Sequence, residues 1–365
     1  MLKQQKIFFD FLRFCIGSAK EIPVSLKEAD WKELYAIAQK QALLGVLFHG
    51  IRRLPKKLAP EQKLLMQWMA MAEMIRKQNI KLFQDSVKVC QNFENEGFAN
   101  CILKGQGNAL LYPDPYMRTP GDIDIYLSGG RKKIMKYVDQ VCPNQVMRYH
   151  HVDFPVMKTA IEVHFTPSYM FFPVHNRRMQ KWFGKVMDLQ CSNVVTLPDG
   201  YGEITVPTMS FNVIYMLSHL YRHVFTEGVG LRQLIDYYFV LVKSEERRVK
   251  NLTALQRELK YLGLWKFAGA VMYVLHETLG LPEEKMIAPI NVNEGRFLLA
   301  EIMQGGNFGQ YDTRLGSKEH EGKLHRYFRM NLRNLRFVKH YPKEALSEPL
   351  FRTWFAIWKK IHGIR

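Results

Sequence analysis

The residues best suited to chemistry in this chain are two aspartates. Asp122 and Asp124 alternate with Ile123, Ile125 and Leu127, and a period of two marks a strand whose apolar side chains share one face. The two carboxylates then share the other face. Like charges so placed repel, and burying them is costly unless a cation lies between them. Oxygen ligands of this kind suit Mg2+ or Mn2+, ions that keep several waters and take one or two carboxylates together with phosphate oxygens. Upstream, Lys104, Gly105, Gln106 and Gly107 follow the apolar run Cys101-Ile102-Leu103 and open a helix. That places backbone N–H groups and a cation where a polyphosphate could dock. The chain has no GxxxxGK[ST] motif, which excludes a P-loop.

Together these residues resemble the signature of the polymerase-β-like nucleotidyltransferase superfamily. The closer resemblance is to an uncharacterised bacterial branch, with Lys104-Gly105 before the helix, Tyr112-Pro113 after it, and Arg118 ahead of Asp122-Ile123-Asp124-Ile125. Gln106 stands where Gly or Ser is usual, and the interval to Asp122 is longer than in the common pattern. The resemblance implies an enzyme that moves NMP from an NTP to a hydroxyl acceptor, with metal held by Asp122, Asp124 and a third acid. Glu162 is assigned as that acid: Glu162 and His164 share a face of the alternating run Ile161-Glu162-Val163-His164-Phe165, and the branch carries an acid two residues before a His. By the same analogy Glu162 helps to deprotonate the acceptor. Its competitor, Asp153, lies just before Phe154-Pro155, where a turn cap fits better.

Lys104, Gly105, Gln106 and Arg118 are expected at the nucleotide, Arg118 through a bidentate grip on phosphate. His219 and His223 lie four apart on a helix, a spacing able to hold a metal, but no third ligand accompanies them. With Asp236 they are expected to line the cleft, because the branch carries a His-bearing helix, then glycines (here Gly228 and Gly230), then an Asp-bearing helix; His164 joins them because it shares a face with Glu162. The alternative function is a catalytically inactive module that keeps the nucleotide pocket and binds nucleic acid or a partner protein.

The elements that must position these groups suggest an α+β fold. A polymerase-β-like core with a small mixed sheet is expected over 97–208, flanked by helical regions at 1–96 and 209–365. In the first region Ser25 and Glu28 read as a capping box for the helix bearing Trp31, Leu34, Tyr35 and Ala38. A long helix follows over 61–95, its Met66, Met69, Met71 and Met74 expected in the core. Strands are expected at 98–103, around Asp122, at 146–154, 158–165 and 203–206. Later helices are expected over 173–187, 211–225, 230–243, 252–279, 323–339 and 349–361. In 323–339, Arg326, Arg329, Arg333 and Arg336 line one face opposite Leu324, Phe328, Leu332 and Leu335. The bland reading is a solvated basic face; the sharper one is a seat for a phosphate-rich acceptor.

Composition sets the outer limits. Of 365 residues, 52 are Lys or Arg against 34 Asp or Glu, a formal charge of +18, which favours phosphate-rich partners such as nucleotides, RNA or anionic glycan precursors. The acceptor class, whether small molecule, glycan precursor, protein or RNA, stays open. The five cysteines are scattered without CxxC spacing, which argues against a disulfide framework or zinc cluster and fits a reducing cytoplasm. No run of 18 uncharged apolar residues suggests a membrane span. Asp10 and Arg13 break up the apolar start, so the first residues are expected to form an amphipathic helix and not a signal peptide.

Overall fold

The computed structural model describes residues 3–244, 248–316 and 322–363. Four helices come first: α1 (Lys3–Ile16), α2 (Trp31–Lys40), α3 (Leu44–Ile51) and α4 (Gln62–Asn95). The N-cap of α2 is Asp30, whose carboxylate accepts the N–H groups of Lys32 and Glu33. The expected Ser25 box does not form. Val24–Glu28 is a short 3-10 turn, and the Ser25 hydroxyl donates to Asp10 instead.

The face that α4 buries runs through Leu64, Trp68, Ala72, Ile75, Asn79 and Leu82, spaced by three and four. The Trp68 indole donates to the Leu44 carbonyl at 2.9 Å and so fixes that phase. The methionine expectation is therefore overturned for three of its four residues: Met66, Met69 and Met74 lie on the opposite side, each more than half exposed, while Met71 is half-buried against the core.

Next come β1 (Asn100–Ile102), α5 (Gln106–Ala109), β2 (Ile123–Leu127), α6 (Gly130–Val141), β3 (His151–Asp153), β4 (Ile161–His164) and α7 (Pro173–Gln190). The sheet runs in the order β1-β2-β4-β3, with β2 and β4 parallel and both outer pairs antiparallel. It is a small mixed sheet within a mostly helical chain, as an α+β reading requires. Strands β5 (Val194–Thr196) and β6 (Glu203–Thr205) form a separate hairpin, of which only the second strand was legible.

The remaining helices are α8 (Met209–Thr226), α9 (Leu231–Lys243), α10 (Arg248–Tyr261), α11 (Trp265–Leu279), α12 (Val292–Gly305), α13 (Lys323–Val338) and α14 (Pro342–Ile361). The single helix expected over 252–279 is two, broken where Gly263 takes φ +77°. Helix α12 has no counterpart in the sequence reading. None of the described helices is long and apolar enough to cross a membrane.

Two apolar cores result. One lies under the sheet and takes in the second half of α4 through Leu82, Phe83, Val89 and Phe93. The other joins α1–α3 to α8, α9, α11 and α12, so helices from both ends of the chain pack as one mass. Helix α13 departs from the expected amphipathic orientation in its second half, while Arg326 is exposed and the side chain of Leu324 lies outside the described residues. Arg333 is buried and donates to the Val224 carbonyl at 2.7 Å, and Arg336 reaches Asp312 at 3.0 Å. Phe328, Leu332 and Leu335 are meanwhile 56%, 54% and 62% exposed, so the apolar stripe faces outward.

Candidate active site

Strand register builds the site. The parallel pairing of β2 with β4 sets Asp124 directly beside Glu162 and Tyr126 beside His164. Neighbouring residues at one register position share a face, so the two carboxylates stand side by side although 38 positions separate them in the chain. The antiparallel pairing of β3 adds His151 opposite His164 and Asp153 opposite Glu162. Asp122 immediately precedes β2, and Lys104 follows β1.

Lys104, Asp122, Asp124, His151 and Glu162 form the floor of a cavity of about 460 Å3, whose roof is helices α8 and α9; His164, expected to line the cleft, lies behind Asp124 and does not line it. On the floor, Lys104 Nζ lies 3.0 Å from Asp124 Oδ2 and 3.3 Å from His219 Nε2. The His164 Nε2 atom is 2.9 Å from Asp124 and 3.6 Å from Glu162, while His151 Nδ1 is 3.1 Å from Glu162. From the roof, Arg222 contacts His223 Nε2 at 3.0 Å. Arg232 donates to the Thr119 carbonyl at 3.0 Å and lies 5.4 Å from the Phe308 ring centroid.

The charges perturb one another in directions that follow from this geometry. The Asp124 charge, followed by burial, pushes the Asp122 carboxyl up to about 6. Burial would raise Asp124 as well, but Lys104 and His164 outweigh it and hold that carboxyl well below its ordinary range. Burial would lower His164, but Asp124 and Glu162 together carry it above its ordinary value. Burial and the nearby cations do the reverse elsewhere, holding His219 well below its usual value and His223 down to about 4.

The donor set fits a divalent cation. Ligand atoms of Asp124, Glu162 and His164 lie within 4.8 Å of one another, as do those of His151, Asp153 and Glu162. Both sets mix carboxylate with imidazole, which Mn2+ accepts alongside oxygen. Asp122 stands outside these two sets but lines the same cavity.

Most residues singled out in the sequence meet here: Lys104, Gly105, Arg118, Asp122, Asp124, Glu162, His219, His223 and Asp236 all line the cavity. Their roles are not uniform. Arg118 is 5% exposed, and its Nε and Nη2 both donate to Asp236 at 2.8 Å. Tyr112 donates to the same carboxylate at 2.7 Å. The pair therefore braces the segment leading into Asp122 against α9, and both groups are engaged with each other. Gln106 is buried beyond Gly105. Gly107 serves packing, since a Cβ there would meet Val206 Cγ1 at 2.7 Å.

Sequence reasoning missed Arg222, Arg232, Glu227, Phe308 and the contact of His151 with Glu162. Arg222 was within reach, because it lies three residues after His219 on one helix face. Phe308 was not: it sits in the glycine-rich loop after α12, and no local pattern ties that loop to the strands.

A family model described as an uncharacterised nucleotidyltransferase matches residues 27–280. No curated protein and no solved structure matches the chain. The matched span contains every floor residue together with α8 and α9, and leaves the Phe308 loop, α13 and α14 outside it.

Proposed function

This chain belongs to the uncharacterised nucleotidyltransferase family, and on that premise we propose that it transfers a nucleoside monophosphate from an NTP to a hydroxyl-bearing acceptor. The observation that carries the reading is the β2–β4 register, which sets Asp124 against Glu162 beside Lys104 on the floor of a cavity. Asp124, Glu162 and His164, with Asp122 next to them, would hold Mg2+ or Mn2+. Such an ion neutralises phosphate charge and helps to align the reacting oxygens.

The chain's own groups supply the rest. Arg222 and Arg232, on the roof, and Lys104 on the floor offer positive charge to a triphosphate lying between them. Gln233 Nε2 and Asn307 Oδ1 are buried without a hydrogen-bond partner among the described residues, a donor and an acceptor at the cavity wall ready for a bound nucleotide. The acceptor oxygen forms a bond to the α-phosphorus as the bond to pyrophosphate breaks, and pyrophosphate leaves with that electron pair. The hydroxyl proton passes to Glu162. Arg118 and Asp236 act indirectly, by holding the backbone that carries Asp122.

The test uses labelled NTPs, Mg2+ or Mn2+ and a panel of hydroxyl acceptors, beside an Asp122→Ala/Asp124→Ala control. Transfer of label in the wild type and its loss in the control is the expected result. Mn2+ binding read by electron paramagnetic resonance should weaken at least tenfold in Glu162→Gln. Turnover that survives the aspartate control would sink the proposal.

A further inference from the structure

The outer face of the last two helices is apolar. On α14, Leu346, Leu350, Trp354, Ile357 and Ile361 recur at intervals of three and four, so they share one face, and each is half or more exposed. At 1.5 Å per residue the row runs for about 22 Å. Phe328, Leu332 and Leu335 of α13 extend it sideways: they line a shallow groove of about 260 Å3 together with Leu346 and Pro349 of α14. Single exposed apolar side chains are ordinary, but a contiguous patch of this kind marks a surface that something covers.

Polar groups of the same pair are turned inward. Asn334 is buried and donates to Glu348 at 2.8 Å, while Glu344 accepts the Phe171 N–H at 2.7 Å and lies 3.1 Å from His175 Nδ1. From residue 322 to 365 these two glutamates are the only acids, and both are 1% exposed. The exposed charge on α14 is therefore positive. Lys343, three residues before Leu346, and Lys360, three after Ile357, stand exposed at the two ends of its stripe. Lys339 is exposed just past the end of α13. Glu319 and Glu321, ahead of α13, lie outside the described residues; neither belongs to α14, whose stripe carries its own lysines. Arg333, through the Val224 carbonyl, ties the pair to the roof helix α8.

We propose that this face docks the protein on an anionic lipid bilayer, with the apolar row at the boundary between headgroups and acyl chains and the lysines against lipid phosphates. A stripe of Leu, Ile, Phe and Trp bordered by cations is the composition of a helix that lies in a membrane interface. The lysine stems lie along the apolar surface while their ammonium groups reach the headgroups. Each cation near an anionic leaflet strengthens binding by about fivefold. A second copy of this chain is a poorer occupant. A two-fold interface sets one patch against itself, which brings lysines toward lysines with no exposed acid on either helix to pair with them. The contact is peripheral, since none of the described helices is apolar and long enough to span a bilayer. It is independent of the transfer reaction, whose cleft it would hold at a membrane surface.

Full-length protein is mixed with vesicles of phosphatidylcholine alone, or of equal parts phosphatidylcholine and phosphatidylglycerol, and the bound fraction is read by flotation. Binding to the mixed vesicles and not to phosphatidylcholine alone is expected, and it should weaken as salt is raised. Leu350→Gln/Ile357→Gln and Lys343→Gln/Lys360→Gln should each weaken it at least tenfold. All four positions are exposed, so the denaturation midpoints of both double variants should stay at the wild-type value. Lipid brominated in its acyl chains should quench the tryptophan emission of the wild type, and Trp354→Phe should remove part of that quenching. Absence of binding to the mixed vesicles, equal binding to both kinds, or binding indifferent to both double variants overturns the proposal. A dimer seen by analytical ultracentrifugation that Leu350→Gln/Ile357→Gln dissolves, and that anionic vesicles do not disrupt, overturns it in favour of a second copy.

Discussion

Asp236→Ala should be among the most damaging single changes in the molecule, although Asp236 contributes no ligand atom to the carboxylate cluster. The wild-type carboxylate is 4% exposed and accepts three hydrogen bonds, two from Arg118 and one from Tyr112. Removing it strands the Arg118 charge in the interior, which costs about 3–5 kcal/mol for a buried pair broken on one side. The orphaned Tyr112 hydroxyl adds about 1 kcal/mol, giving a total of about 4–6 kcal/mol. The double variant Arg118→Met/Asp236→Leu removes both charges and fills the space with apolar atoms, so it should lose only about 1–2 kcal/mol, much of it from Tyr112. Guanidinium chloride denaturation of wild type, both single variants and the double variant gives the cycle, with stability read from midpoints at constant slope. A cost below about 1 kcal/mol for Asp236→Ala, or a double variant as damaged as the two single changes summed, would show that the pair is not the brace described here.

Two further outcomes follow from groups around the cavity. Burial and Arg222 hold His223 down to about 4, whereas the unfolded chain takes up that proton near 6.5. The unfolded state thus binds more protons between pH 4 and 6.5, so this contribution is complete above 6.5 and is lost as pH falls toward 4, by roughly 3 kcal/mol in all. His223→Gln should flatten the stability-versus-pH slope by about one proton over that window, and an unchanged slope in denaturation series would refute the assignment. Gly107→Ala forces a methyl against Val206 and should cost about 1–3 kcal/mol by overpacking. Pairing it with Val206→Ala should recover most of that loss in the same assay, and no recovery would mean that the clash lies elsewhere.

The local alphabet of this chain made a good part of the site legible. The period of two around Asp122 and Asp124, and again around Glu162 and His164, is a strand signal that needs no tertiary information. It places each pair of groups on one face. Glycine after a strand marks a turn, as at Gly105, where φ is +52°. Short-range pattern could not reach the pairing of the strands. That Asp124 meets Glu162, and that His151 stands opposite His164, is decided by sheet register between segments far apart in the chain. Helix phase was another blind spot: the methionines of α4 and the leucines of α13 have helical spacing, but which side is covered depends on what packs there. Trp68 and Arg333 decided it, each through a bond to a distant backbone carbonyl. Arg118 shows the same division, because sequence identifies a guanidinium near the phosphates whereas only the folded chain brings Asp236 within 2.8 Å to occupy it. The place of Phe308 at the cavity belongs wholly to tertiary structure, since Gly228 and Gly230 in the turn between α8 and α9 pack closely against its neighbours Gly309 and Asn307.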